Sequence, residues 1–125
     1  YARQQQRRRQ RLAMQYEKAM TCLENGDYLC ALENLDALLQ TKPDYPNVQR
    51  SLDIARYELA EQYMETGQWE MAVSTLEVLL KDNPYDVQAL NLLETTYTLW
   101  IEEAVHQKDW WTAMRLMRQR DLQTR

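Results

Sequence analysis

The chain is short of the residues that build turns and reactive centres: it has two glycines, three prolines, two cysteines and one histidine in 125 residues. So little Gly and Pro leaves too little turn chemistry for a sheet protein. The good helix formers Leu, Ala, Glu, Gln, Met and Arg dominate instead. His106 with two cysteines makes no metal-ligand set, so no metal or cofactor is expected. Neither a glycine-rich phosphate loop nor a nucleophile motif occurs, and the chain is not expected to be an enzyme. No apolar run approaches the length of a bilayer, and no signal-peptide pattern is present. A chain that opens on Tyr1 rather than Met is expected to be a fragment of something longer. Its length suits a single domain over residues 1–125 with a modest core.

Cys22 and Cys30 flank Asn25-Gly26-Asp27, which should place them on antiparallel neighbouring helices. That placement permits a disulfide without requiring one. The expectation is two reduced thiols acting as small packing residues, which favours a reducing, cytoplasmic compartment. Charge is unevenly spread within the total of −4. Arg3, Arg7, Arg8, Arg9 and Arg11 lead the chain, and Arg115, Arg118, Arg120 and Arg125 close it. Between positions 12 and 114 stand six basic residues against 18 acidic ones. An acidic middle is bracketed by two basic ends.

What the sequence does have is a repeat of 41 residues. Residues 23–43, LENGDYLCALENLDALLQTKP, align without a gap on 64–84, METGQWEMAVSTLEVLLKDNP. Glu24 meets Glu65, Gly26 meets Gly67, Tyr28 meets Trp69 and Ala31 meets Ala72. Leu35, Leu38 and Leu39 meet Leu76, Leu79 and Leu80. A third step lands Trp110 on Trp69, Ala113 on Ala72 and Met117 on Leu76, but puts Lys108 where the turn glycine was. Units fall at about 2–42, 43–83 and 84–125, with residues 1–11 as a basic helical lead-in. Repeats of this period are stacked supersecondary units that bury their apolar faces on their neighbours.

Each unit reads as a helical hairpin. Val48, Leu52, Ala55, Leu59 and Tyr63 recur at three- and four-residue steps and draw one apolar stripe. Gly67 breaks the period and supplies the positive φ of a tight helix-to-helix turn. Ala72, Leu76, Leu79 and Leu80 restart the stripe. Asn83 is expected to N-cap the next helix, with Pro84 in its first turn and Asp86 at its positive end. The first helix of each later unit should be lengthened, over about 45–66 and 85–107. Trp110 and Trp111 are adjacent, so both cannot face one core, and one of them should lie near the surface.

This pattern resembles the tetratricopeptide repeat family, through Ala19, Gly26, Asp27, Tyr28, Ala31 and Pro43 in one unit and Ala60, Tyr63, Gly67, Trp69, Ala72 and Pro84 in the next. The spacing of 41 departs from that family's 34. The resemblance implies an all-α fold, an α-solenoid of three antiparallel helix pairs in a short right-handed superhelix. It also implies a protein-interaction module whose partner lies against the first helix of each unit. The matching positions include Tyr16, Met20 and Glu24, then Tyr57, Glu61, Met64 and Glu65, then Thr98 and Glu102. The clamp by which some members of the family grip chaperone carboxylates needs Lys and Asn where this chain has Tyr57, Glu61, Thr98 and Glu102, so that reading is set aside.

With tyrosines and methionines flanked by acids, the expected partner is a protein or peptide of basic or amphipathic character. A second expectation is homo-oligomerisation through an uncovered end near Met114, Met117 and Leu122. For the segment ARQQQRRRQR three readings stay open. Nucleic acid is disfavoured by the lack of interleaved aromatics. The arginines could instead follow a membrane span and mark the cytoplasmic face of a membrane, or be an ordinary solvated helix start.

Overall fold

A computed structural model describes residues 1–124, and every regular element among them is an α-helix. Arg125, the last of the closing arginines, lies outside the described residues. In chain order the helices are α1 (Ala2–Glu24), α2 (Tyr28–Thr41), α3 (Val48–Glu65), α4 (Trp69–Asp82), α5 (Val87–His106) and α6 (Trp110–Thr124). None is long and apolar enough to cross a membrane.

The turns between α1 and α2, α3 and α4, and α5 and α6 share one geometry. Gly26, Gly67 and Lys108, 41 residues apart, all have positive φ, at 76°, 74° and 61°. In each turn the next residue reaches back across the helix end. Asp27 N–H donates to the Cys22 carbonyl at 2.9 Å, Gln68 N–H to Tyr63 at 2.8 Å, and Asp109 N–H to Ala104 at 2.8 Å. The positive-φ residue itself donates one turn back, to Leu23, Met64 and Val105. These paired bonds satisfy carbonyls that a helix end leaves open, and they require a left-handed residue between them. Lys108 keeps that conformation without being glycine, so the hydrogen-bond pattern holds the turn where the sequence had lost its marker.

The residue that closes each turn is placed to start the next helix. Asp27 accepts from Cys30 N–H at 3.2 Å, and Asp109 accepts from Thr112 N–H at 3.1 Å. Hydrogen bonds from the Thr112 side chain and backbone hold the Asp109 carboxyl below its ordinary value. Gln68 occupies the same step and makes no side-chain cap.

The starts of α3 and α5 correct the expected boundaries. Asn83 ends α4, its N–H bonded to the Leu79 carbonyl at 2.9 Å, and so does not begin α5. Asp86 is the N-cap, accepting from Ala89 N–H at 3.1 Å. Lys42 ends α2 in the same way. Tyr45 and Asp86 each donate back to the carbonyl three residues earlier, closing a turn over 42–45 and 83–86. The inserted residues are therefore shared between a turn and the following helix. Asn47, with φ 64°, offers its carbonyl to Ser51 N–H at 3.0 Å as α3 begins.

The chain divides into two compact units, Tyr1–Arg56 and Tyr57 onward, and the division falls within α3 rather than at a repeat boundary. In the first unit Leu12, Ala19, Leu35, Leu38, Val48 and Leu52 form the core. Ala31 at the head of α2 has no exposed surface, which leaves no room for a larger side chain. Cys22 and Cys30 are joined by a disulfide, their Cα atoms 5.8 Å apart, which corrects the expectation of reduced thiols. The tight turn sets the ends of α1 and α2 at bridging distance. The cysteines therefore lend no support to a reducing compartment.

In the second unit Ala60 of α3 and Val73, Leu76 and Leu79 of α4 pack with Ala89, Leu92, Leu93 and Tyr97 of α5. Ala104, Ala113 and Leu116 extend this core to α6. Here the third repeat drifts. Leu116 is fully buried, whereas Met117, aligned with Leu76, is 40% exposed. The α6 face toward α5 continues through Arg120, whose Nη1 lies 3.4 Å from Thr98 Oγ1, and Gln123, whose Oε1 accepts from the Tyr97 hydroxyl at 2.7 Å. Ala113 and Arg120 keep the registers of Ala72 and Leu79, and Leu116 alone departs by one residue from the step of Leu76. Trp110 and Trp111 are both exposed, not one of the two.

The three turns offer a direct comparison. Lys108→Gly should raise stability by about 0.5–1 kcal/mol by relieving a left-handed non-glycine. Gly67→Ala should lower it by about 1 kcal/mol, because an added Cβ meets nothing nearer than Trp69 Cζ2 at 4.0 Å and the cost is purely conformational. Urea denaturation of the two variants checks both signs.

Candidate protein-binding faces

In the first unit, Tyr16 and Met20 lie half-buried against the core. The Tyr16 hydroxyl is 3.4 Å from Ser51 Oγ, and Ser51 Oγ is 4.0 Å from Met20 Sδ. The Tyr16 ring also packs on Tyr45, centroids 5.7 Å apart and planes tilted by 34°. The structure thus brings Tyr16 and Met20 together around one buried serine. Glu24, at the end of α1, is exposed.

In the second unit, Tyr57 and Met64 pack against the core from the last turns of α3. Glu61 is partly exposed and Glu65 exposed. Burial raises the Tyr57 phenol above its ordinary value, and the negative field of Glu61, Glu58 and Asp86 raises it further. On α5, Glu102 is exposed, but Thr98 is engaged. Its hydroxyl donates to the Glu94 carbonyl at 2.9 Å and faces Arg120. Its contacts are therefore with the chain itself.

The same unit has a feature the sequence reading missed. Trp69 and Trp100 line a hollow of about 370 Å3 with Gly67, Gln68, Glu70 and Met71. The Trp69 indole N–H donates to the Glu103 carboxylate, tying the start of α4 to α5. Trp100 stacks on Tyr97 with centroids 6.4 Å apart and planes within 7°. Trp69 was legible only as the aromatic of the repeat. Trp100 stands 41 residues after Leu59 and was legible only as part of the apolar stripe, whereas the hollow it lines depends on where α4 ends up.

The tetratricopeptide repeat model matches residues 22–95, more than half of the chain, and the chain belongs to the tetratricopeptide repeat family. Such repeats mediate protein–protein interaction and scaffolding, which makes this a protein-binding domain. No curated protein and no solved structure matches it.

Because Tyr57 has a raised pKa in the folded chain, it favours folding below the ordinary phenol value of 10.0, and that contribution fades as pH rises through the folded value. Glu61→Gln should lower the Tyr57 pKa toward 10.0 by removing the charge that raises it most. An ultraviolet difference titration, with Tyr57→Phe identifying the signal, checks the direction.

Proposed function

We propose that this domain is a non-catalytic scaffolding module that takes a basic or amphipathic basic segment of a partner protein on the first helix of its repeats. The observation that carries this reading is the negative field at Tyr57, generated by Glu61, Glu58 and Asp86 around a half-buried ring. Glu65 and Glu102 add exposed carboxylates in the same unit, and Met64 adds an adaptable apolar surface. Tyr16, Met20 and Glu24 offer the same residue types at the equivalent register of α1. Tyrosine supplies a large contact at low entropic cost, while the carboxylates govern encounter rate and partner choice more than affinity. Thr98 serves this face by holding Arg120 rather than by contact.

A titration with basic and acidic peptides at low and high salt tests the reading. The basic peptide should bind more tightly, lose affinity with salt and weaken severalfold or more in Tyr57→Ala. Equal binding of the acidic peptide at Tyr57, or indifference to both salt and Tyr57, would sink it.

A second reading, self-association through α6, is favoured by its outward side. Trp111, Met114 and Leu122 are 80%, 66% and 76% exposed and line a hollow of about 340 Å3 with Arg115, Arg118 and Gln119. Met114 stands 41 residues after Val73, which is buried where α4 packs against α5. The surface that receives a helix on α4 is therefore uncovered on α6, and a second copy is the occupant proposed. Light scattering should show a concentration-dependent dimer that Met114→Glu with Leu122→Glu abolishes; a strict monomer at high concentration would count against it.

A further inference from the structure

The first unit contains a cleft of the opposite charge. On α1, Arg8 and Arg9 stand one turn before Leu12, the first side chain of that helix to be buried, and all of residues 1–11 are exposed. Opposite them, Lys42 ends α2 and begins the turn that leads to α3. Two adjoining hollows, of about 300 and 410 Å3, share Arg9, Leu12 and Lys42 in their walls. The smaller adds Arg8, and the larger is floored by Tyr16 and Tyr45, which pack on each other. No carboxylate lines either hollow; Asp44, in the same turn, is not among the lining residues. Among the described residues Arg8, Arg9 and Lys42 make no ion pair.

Three uncompensated cations converging on a shallow apolar floor form an anion-recognising surface. We propose that this cleft binds an acidic segment of a partner protein. Its carboxylates pair with Arg8, Arg9 and Lys42, and an apolar side chain of the segment rests on Leu12 and the tyrosine floor. The guanidinium of Arg9, common to both hollows, presents a planar fork that suits a carboxylate, whereas Lys42 acts as a point charge. A peptide fits this site better than a nucleic acid. Tyr16 and Tyr45 are half-buried and spend their ring contact on each other, whereas single-stranded nucleic acid needs open rings on which bases can stack. This site shares no residue with the electronegative face around Tyr57, so the two proposals stand or fall independently.

The test is a fluorescence-anisotropy titration of the whole chain with three labelled probes at low and high salt. The probes are a peptide alternating Glu and Leu, its Lys and Leu counterpart, and a single-stranded RNA of similar length. The acidic peptide should bind at low salt and weaken as salt rises. Arg9→Glu with Lys42→Glu should reduce its affinity about tenfold or more. Both substituted residues are exposed, and circular dichroism verifies that the double variant keeps its helix. Tyr45→Ala should weaken the peptide severalfold without altering the salt dependence. Acidic-peptide binding indifferent to the double variant, no binding at low salt, or tighter binding of RNA would each overturn the proposal.

Discussion

Everything in this chain hangs on reversing a helix within three residues. A helix that ends leaves carbonyls without partners, and a chain that turns back immediately has no water-filled loop in which to satisfy them. The solution at 25–27, 66–68 and 107–109 is one hydrogen-bond pattern built around one left-handed residue. Because the turn is so short, the two helices must lie side by side, and the first residues facing across the crossing must be small. Ala31, Ala72 and Ala113 stand five residues after each left-handed position, all buried. In the first turn the same proximity joins Cys22 to Cys30. A cross-link closing so short a loop stabilises by about 2–3 kcal/mol in the chain-entropy model.

Pairing the helices closely on one side leaves their other sides free, and the residues there fall into three chemically distinct surfaces. The last turns of α3 carry a half-buried tyrosine in a negative field. The outward side of α6 carries tryptophan, methionine and leucine between arginines. The start of α1 carries arginines beside Lys42 over two tyrosines. Each combines an aromatic or apolar floor with charge of a definite sign, the composition of a surface that discriminates among partners.

The third repeat illustrates how packing absorbs degeneracy. Its turn lacks glycine, and the positions of Leu79 and Leu80 are taken by Arg120 and Asp121. The turn keeps its geometry because two backbone hydrogen bonds outweigh the conformational cost of a left-handed lysine. The helix keeps its place because Leu116 is buried one residue before Met117, while Arg120, in the register of Leu79, and Gln123 bond to α5. The arginine is tolerated there because it meets a threonine hydroxyl at the margin of the core and not the centre of it.

The sequence by itself determined the helix pairs, their period and the two glycine turns, because these follow from local requirements: a three-four apolar spacing, a residue that accepts positive φ, and a small residue at each crossing. The stripe of Val48, Leu52, Ala55, Leu59 and Tyr63 was legible for that reason, and all but the half-buried Tyr63 are buried. Only the tertiary structure decided what depends on two distant segments meeting. Thr98 reads as an open surface residue until Arg120 arrives from α6. The hollow between Trp69 and Trp100, the bond of Trp69 to Glu103, and the convergence of Arg9 with Lys42 arise from residues about 31–34 positions apart, so no periodicity along the chain could announce them.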